Sequence, residues 1–159
     1  MRCVTQHHVV FLTETRTTDV QRLLRFLPHH FLVGQSNIPP GREGQKGFGV
    51  AIIAAKLLQD HLSLFNVSSQ LQTVWARADK RLFGLQDDIF LCATYINPQS
   101  NITSGEQIDN SFYFLEEECF YSYAHTPHVI IGGDFNALIG DKKEITDMHY
   151  EILSLYPQL

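Results

Sequence analysis

Short apolar runs alternate with polar, glycine-rich and proline-rich stretches along the whole chain. "VVFLT" (9–13) has the length of a buried strand and is too short for a helix. Behind it, Val20, Leu23, Leu24 and Leu27 recur at i, i+3, i+4 and i+7. That spacing predicts one apolar helix face, with Thr17 or Thr18 as N-cap and Pro28 just past the end. "FLVGQ" (31–35) reads as a strand and 36–47 as a polar Pro/Gly loop. "FGVAIIAAKLL" (48–58) begins as a strand and ends with helix-compatible residues. Residues 62–68, 72–79 and 89–96 read as further strands, with "FGLQDD" (83–88) as a hairpin turn, and 97–105 as loop. In 106–125, Ile108, Phe112, Leu115 and Cys119 fall at helical spacing. "HVIIGGDF" (128–135) reads as an apolar, buried strand running into a loop, and 148–156 as a final helix.

Strands in groups with helices between them predict a mixed α/β or α+β domain, with a sheet-on-sheet core flanked by helices. At 159 residues the chain has room for one sizeable core, so 1–159 reads as a single domain. A hydrophobic share of 44% and a charged share of 18% fit an ordinary globular protein. A net charge of −5 excludes holding nucleic acid by bulk electrostatics. It leaves open an enzyme that meets phosphate through a bound metal, since the ion supplies the positive charge locally. Cys3, Cys92 and Cys119 have no metal-binding or redox spacing, and an odd count cannot close fully into disulfides. Free thiols in a reducing compartment are expected, and with no targeting or membrane-length segment a nuclear or cytoplasmic location. The eight histidines show no zinc-motif spacing and read as surface or boundary residues.

The candidate chemistry centres on "IIGGDFNALIGD" (130–141). Gly132 and Gly133 let the chain turn and leave room for close approach to the backbone. Asp134 and Asn136, two apart, share a face in extended conformation while Phe135 points to the core. A carboxylate beside a carboxamide suits hydrolysis: the first accepts a proton or binds a metal, the second donates a hydrogen bond. On spacing alone, an Asx turn closing a strand is the simpler explanation. A second apolar strand, "FLTETR" (11–16), ends near Glu14. Glu14 and Asp134 could meet at one edge of a sandwich, and two carboxylates with a neutral Asn suit Mg²⁺ or Mn²⁺. Glu14 could equally be an acidic residue favoured by the dipole of the following helix. Tyr95, at a strand end in "ATYINPQ", could hydrogen-bond a phosphate oxygen or be a half-buried strand aromatic.

"FLTETR", "GFGVAI", "TYINPQSN" and "IIGGDFNALIGD" together resemble, in order and approximate spacing, the endonuclease/exonuclease/phosphatase superfamily, and most closely the endonuclease domain of LINE-type retrotransposons. The resemblance spans about Val9 to Asp141 and implies a four-layer α/β/β/α sandwich of the deoxyribonuclease-I-like type. It implies Glu14 as metal-binding glutamate, Tyr95 as a contact to the scissile phosphate and Asp134 as the group that orients or deprotonates water. Asn136 would be the hydrogen-bonding partner near the phosphate, and Asn97 is a weaker substrate-binding candidate. It further implies Mg²⁺ or Mn²⁺ as cofactor, DNA as substrate, no membrane partner, and a reverse transcriptase domain in a parent polyprotein. A phosphatase or phospholipid phosphodiesterase, and a non-enzymatic remnant or interaction module, are the alternatives.

The chain departs from the family pattern at both ends. "MRCVTQHH" carries no Asn where the family has a metal-side Asn strand, and no Ser-Asp-His stretch follows Asn136. The expectation is a partial domain from a truncated or decayed reading frame, inactive alone, with apolar surface exposed where strands would be absent.

Overall fold

A computed structural model describes residues 7–38, 44, 48–68, 71–96 and 106–136. Strands β1 (Val9–Leu12), β2 (His30–Gln35) and β3 (Ala51–Ala55) form an antiparallel sheet in the order β1-β3-β2. Strands β4 (Leu62–Val67), β5 (Gln72–Ala78), β6 (Ile89–Tyr95) and β7 (His128–Asp134) form a second sheet in that order. Its first three strands are antiparallel, and the hairpin between β5 and β6 turns where "FGLQDD" predicts it. β7 lies parallel to β6, reached through the helix α2 (Glu106–Tyr123).

Alternation along the strands builds the layers. Inward residues of both sheets, among them Val33, Ile52, Ala54, Val74, Ala76, Leu91 and Ala93, form one core. Trp75, Phe90 and Cys92 point to the other face of the second sheet and pack with Leu115 of α2. Ala51 and Ile53 point to the other face of the first sheet and pack with Val20 and Leu27 around the short helix α1 (Gln21–Leu24). The result is a four-layer α/β/β/α sandwich of the expected class. β3 and β6 are buried along their whole length because both of their faces are covered.

Several details differ from expectation, each for a local reason. α1 is shorter than the apolar spacing suggests, although Val20 and Leu27 are buried as predicted. Thr17 Oγ1 accepts from the Asp19 amide in a local turn, so neither Thr17 nor Thr18 caps the helix. The helix start is held from outside: Gln35 of β2 accepts from Val20 N and donates to the Thr18 carbonyl. After Leu24 the chain tightens into i→i+3 bonds, such as Leu27 N to Leu24 O at 3.0 Å. In the 48–58 stretch both halves of the expectation appear, a strand to Ala55 and then one 3₁₀ turn, Lys56–Leu58.

On α2 the stripe against the sheet is Leu115, Glu118, Cys119 and Ser122, while Phe112 is exposed and the Ile108 side chain lies outside the described residues. The apolar β7 is not a buried strand: it lies at the end of its sheet, and Ile130 is 52% exposed. His30 is a buried residue and not a boundary one; its Nε2 donates to the His7 carbonyl at 3.1 Å. Cys92 and Cys119 are free thiols. Burial, then the Glu118 charge, pushes both thiols up, which keeps them protonated and unreactive at neutral pH. Asn97, His149, Cys3 and the final helix expected at 148–156 lie outside the described residues. No helix among the described residues is long and apolar enough to cross a membrane.

Candidate active site

β6 and β7 run parallel, so their C-terminal ends lie level, with Tyr95 beside Asp134. β1 crosses the inner face of this corner, and the chain leaving it carries Glu14. Three chain segments far apart in sequence therefore deliver side chains to one corner between the sheets.

Glu14 does not continue the β1 strand as an extended residue. Glu14 and Arg16 have φ of 50° and 55°, in the left-handed region that non-glycine residues rarely adopt. Each such residue costs on the order of 1–3 kcal/mol, so the surroundings must hold it. Thr15 N donates to the Gly49 carbonyl and Arg16 N to the Phe48 carbonyl, both at 3.0 Å. Gly49 makes this approach possible: a Cβ there would lie 2.1 Å from Thr15 Oγ1, and its own φ is +90°. Gly49 N in turn donates to Gln72 Oε1 at the start of β5, at 2.7 Å. A helix-dipole role for Glu14 is not available, because α1 begins at Gln21.

This backbone presents the Glu14 carboxylate to Tyr95, whose hydroxyl donates to Oε1 at 2.9 Å. Arg16 donates to Oε2, also at 2.9 Å. Tyr95 is only 5% exposed, and its ring belongs to the inter-sheet core. Burial, then the hydrogen bond and charge of Glu14, push its phenol up to about 12, with Asp134 adding to the shift and a hydrogen bond from Asn136 opposing it. Near neutral pH Tyr95 is therefore an uncharged donor and neither a base nor a nucleophile.

The two glycines before Asp134 are explained by close contacts within the chain. A Cβ on Gly132 would lie 2.7 Å from the Phe11 ring of β1. A Cβ on Gly133, whose φ is +152°, would lie 1.8 Å from the Thr94 carbonyl of β6. They let β1 and β6 close on the end of β7 and fix where Asp134 sits. Asp134 is exposed, and its Oδ1 accepts from Asn136 N at 3.0 Å, an Asx turn. Asn136 has φ of 45°, so the pair is not extended. The simpler explanation of the spacing, an Asx turn, is the one the backbone adopts, and the turn folds the carboxamide over the strand ends. Asn136 Nδ2 donates to the Ile96 carbonyl at 2.7 Å, and the same side chain reaches the Tyr95 oxygen. Phe135 packs on the α2 side, as alternation predicts.

Glu14, Tyr95, Asp134 and Asn136 thus meet in one corner, whereas Asn97 lies outside the described residues. Arg16, as the partner of Glu14, escapes sequence reasoning; its signal would have been a basic residue two positions after the candidate carboxylate. Oxygen donors dominate the corner, which is the chemistry of Mg²⁺ and Mn²⁺ and not of zinc. No group of three or more His, Cys, Asp and Glu side chains placed to hold a metal occurs among the described residues. A Mg²⁺-type ion needs just one or two carboxylates when phosphate and water complete its shell, and Glu14 fits that use once Arg16 yields Oε2.

The two sheets, their order and the flanking helices have the deoxyribonuclease-I-like fold. The chain is similar in structure to the human Nocturnin catalytic domain with bound sulfate anion, at a TM-score of 0.57 and 13% identity, covering 88% of this chain and 55% of that one. It is likewise similar to TDP2 from C. elegans, at a TM-score of 0.55 and 18% identity, covering 86% of this chain and 40% of that one. It therefore spans about half the length, or less, of these solved structures. No family model and no curated protein matches the sequence.

Proposed function

We propose that this corner is the catalytic cluster of a Mg²⁺- or Mn²⁺-dependent phosphodiester hydrolase that nicks DNA, of LINE-retrotransposon type. The observation that carries the reading is the convergence of Glu14, Tyr95, Asp134 and Asn136 at the ends of β1, β6 and β7. When bound, the ion would be held by Glu14 and would stabilise charge developing on the phosphate oxygens. Tyr95 stays protonated and donates a hydrogen bond, to Glu14 at rest and to a phosphate oxygen when one is present. Asn136 is fixed by its bond to the Ile96 carbonyl, so its carboxamide is pre-oriented at the same point. Asp134 is exposed and keeps a second oxygen able to take a proton from the attacking water. Water oxygen bonds to phosphorus, the phosphorus–oxygen ester bond breaks, and the leaving oxygen departs with the electron pair. LINE-like wording around Tyr95 favours DNA over phospholipid or inositol phosphates.

One observation favours a second reading, a non-enzymatic remnant: both oxygens of Glu14 are already engaged within the chain. Nicking of supercoiled plasmid in Mg²⁺ or Mn²⁺, run beside phospholipid and inositol phosphate substrates, separates the readings. The hydrolase reading expects metal-dependent nicking that falls by about 10²-fold or more in Asp134→Ala. Absence of cleavage before and after the substitution supports the remnant, and preference for a lipid or inositol substrate overturns DNA as the target.

A further inference from the structure

On the far side of the second sheet lies a cavity of about 200 Å³ between α2 and β4, lined by Phe65, Trp75, Glu117, Glu118 and Tyr121 among others. It is smaller than the roughly 300 Å³ where pockets for whole small molecules begin, and suits one side chain. Its chemistry is one-sided. Glu118 Oε2 accepts from Thr73 Oγ1 at 2.7 Å and from Trp75 Nε1 at 2.8 Å, two uncharged donors. None of the ion pairs among the described residues includes Glu116, Glu117 or Glu118. A part-buried carboxylate is normally matched by a cation. Here the described residues supply the oxygens and the rigid donors but no counter-ion.

The surroundings point the same way. Phe65 and Tyr121 stack with centroids 6.1 Å apart, and His125 meets Tyr121 edge-on at 5.2 Å. Faces of aromatic rings beside carboxylates favour an organic cation, and guanidinium above all. The outer face of α2 continues the pattern in turns: Phe112 and Tyr113, then Glu116 and Glu117, then Phe120 and Tyr121. Phe120 and Tyr121 are 67% and 60% exposed. Exposed aromatic pairs around an acidic pair make a surface that attracts a basic, partly apolar protein segment and repels nucleic acid.

We propose that α2 and β4 form a docking site for a basic protein segment, with one arginine side chain seated against Glu118 and Glu117. The inference is independent of the proposed hydrolase, which uses the opposite face of the sheet. Trp75 is the single tryptophan of the chain, so its indole N–H is a direct reporter of Glu118. Acetyl-arginine amide, titrated into ¹⁵N-labelled protein, is expected to shift that signal saturably. Acetyl-citrulline amide, matched in shape but uncharged, should bind about tenfold more weakly. Glu118→Gln keeps an acceptor for Thr73 and Trp75 and should erase that difference while the protein stays folded. Tyr121→Ala, on the exposed rim, should weaken binding several-fold and serves if Glu118→Gln fails to fold. A Leu-Arg-Leu-Leu peptide should bind more tightly than the amino-acid amide. The proposal is overturned by equal binding of arginine and citrulline probes, by no shift with arginine, or by a peptide no tighter than the amide. An indole shift that grows with protein concentration alone would assign the surface to a second copy instead.

Discussion

The two faces of the second sheet repeat one device with opposite consequences. On the inner face Tyr95 donates from its hydroxyl to Glu14 at 2.9 Å; on the outer face Trp75 donates from its indole to Glu118 at 2.8 Å. Each is a core aromatic pinning a carboxylate from another element. The inner carboxylate also has a cation from its own chain, Arg16, at 2.9 Å, and the Tyr95 that holds it also feels Asp134 and Asn136. Among the described residues, the outer one is held by two neutral donors, Thr73 and Trp75, and by no cation. In the proposed function, an internally paired carboxylate with exposed oxygen-rich neighbours would exchange its cation for a metal and a phosphate. A carboxylate held by neutral donors among aromatic rings is arranged to receive an organic cation. The same hydrogen bond fixes the position in both cases, and the neighbours decide the chemistry.

The comparison can be broken hardest at the inner face. Gly133→Ala puts a methyl 1.8 Å from the Thr94 carbonyl at a φ of +152°. It should cost about 3 kcal/mol or more in urea unfolding, because clash and backbone strain add. Glu118→Ala comes next. It leaves the buried Trp75 and Thr73 donors without their acceptor and should cost about 2–4 kcal/mol, whereas Glu118→Gln should cost less than about 1 kcal/mol. Equal losses for the two would show that the carboxylate charge, and not the two donors, holds α2 down.

Tyr95→Phe should cost about 1 kcal/mol at pH 8, since its partner Glu14 is partly exposed. Its pH dependence has a definite sign. The folded phenol is raised to about 12 from an ordinary 10.0, so the folded state holds its proton longer than the unfolded chain. That stabilisation is complete below pH 10 and is lost as pH rises toward 12. Tyr95→Phe should lack this alkaline loss, as urea melts along a pH series would show. The smallest change in stability is expected for Arg16→Gln, under about 1 kcal/mol, because the pair is solvent-exposed. The same substitution frees Glu14 Oε2 and should tighten Mn²⁺ binding in calorimetry, a gain that would be absent if Arg16 did not compete for the carboxylate.

The strands and α2 were legible in the sequence because their apolar runs and periodicities are local. Less legible was anything set by partners distant along the chain. The exposure of Ile130 follows from the place of β7 at the end of its sheet, which an apolar run cannot report. The late start of α1 goes with Gln35, fifteen residues beyond Val20, taking over the cap. The four site residues could be proposed one by one, yet their meeting depends on Glu14 and Tyr95, which are 81 positions apart. The left-handed turns at Glu14, Arg16 and Asn136 carry no local glycine signal. The pairing of Glu118 with Trp75 was likewise invisible, because the two residues are 43 positions apart.

Paramagnetic broadening by Mn²⁺ in a ¹⁵N-labelled sample tests the distinction between the two carboxylates most directly. The prediction is selective loss of the Thr15 and Ile96 amides and the Asn136 side-chain amide, with the Trp75 indole N–H remaining sharp. Broadening of the indole signal, or loss spread evenly over the protein with the Asn136 corner untouched, would contradict the assignment of the metal and phosphate chemistry to the Glu14–Tyr95 face.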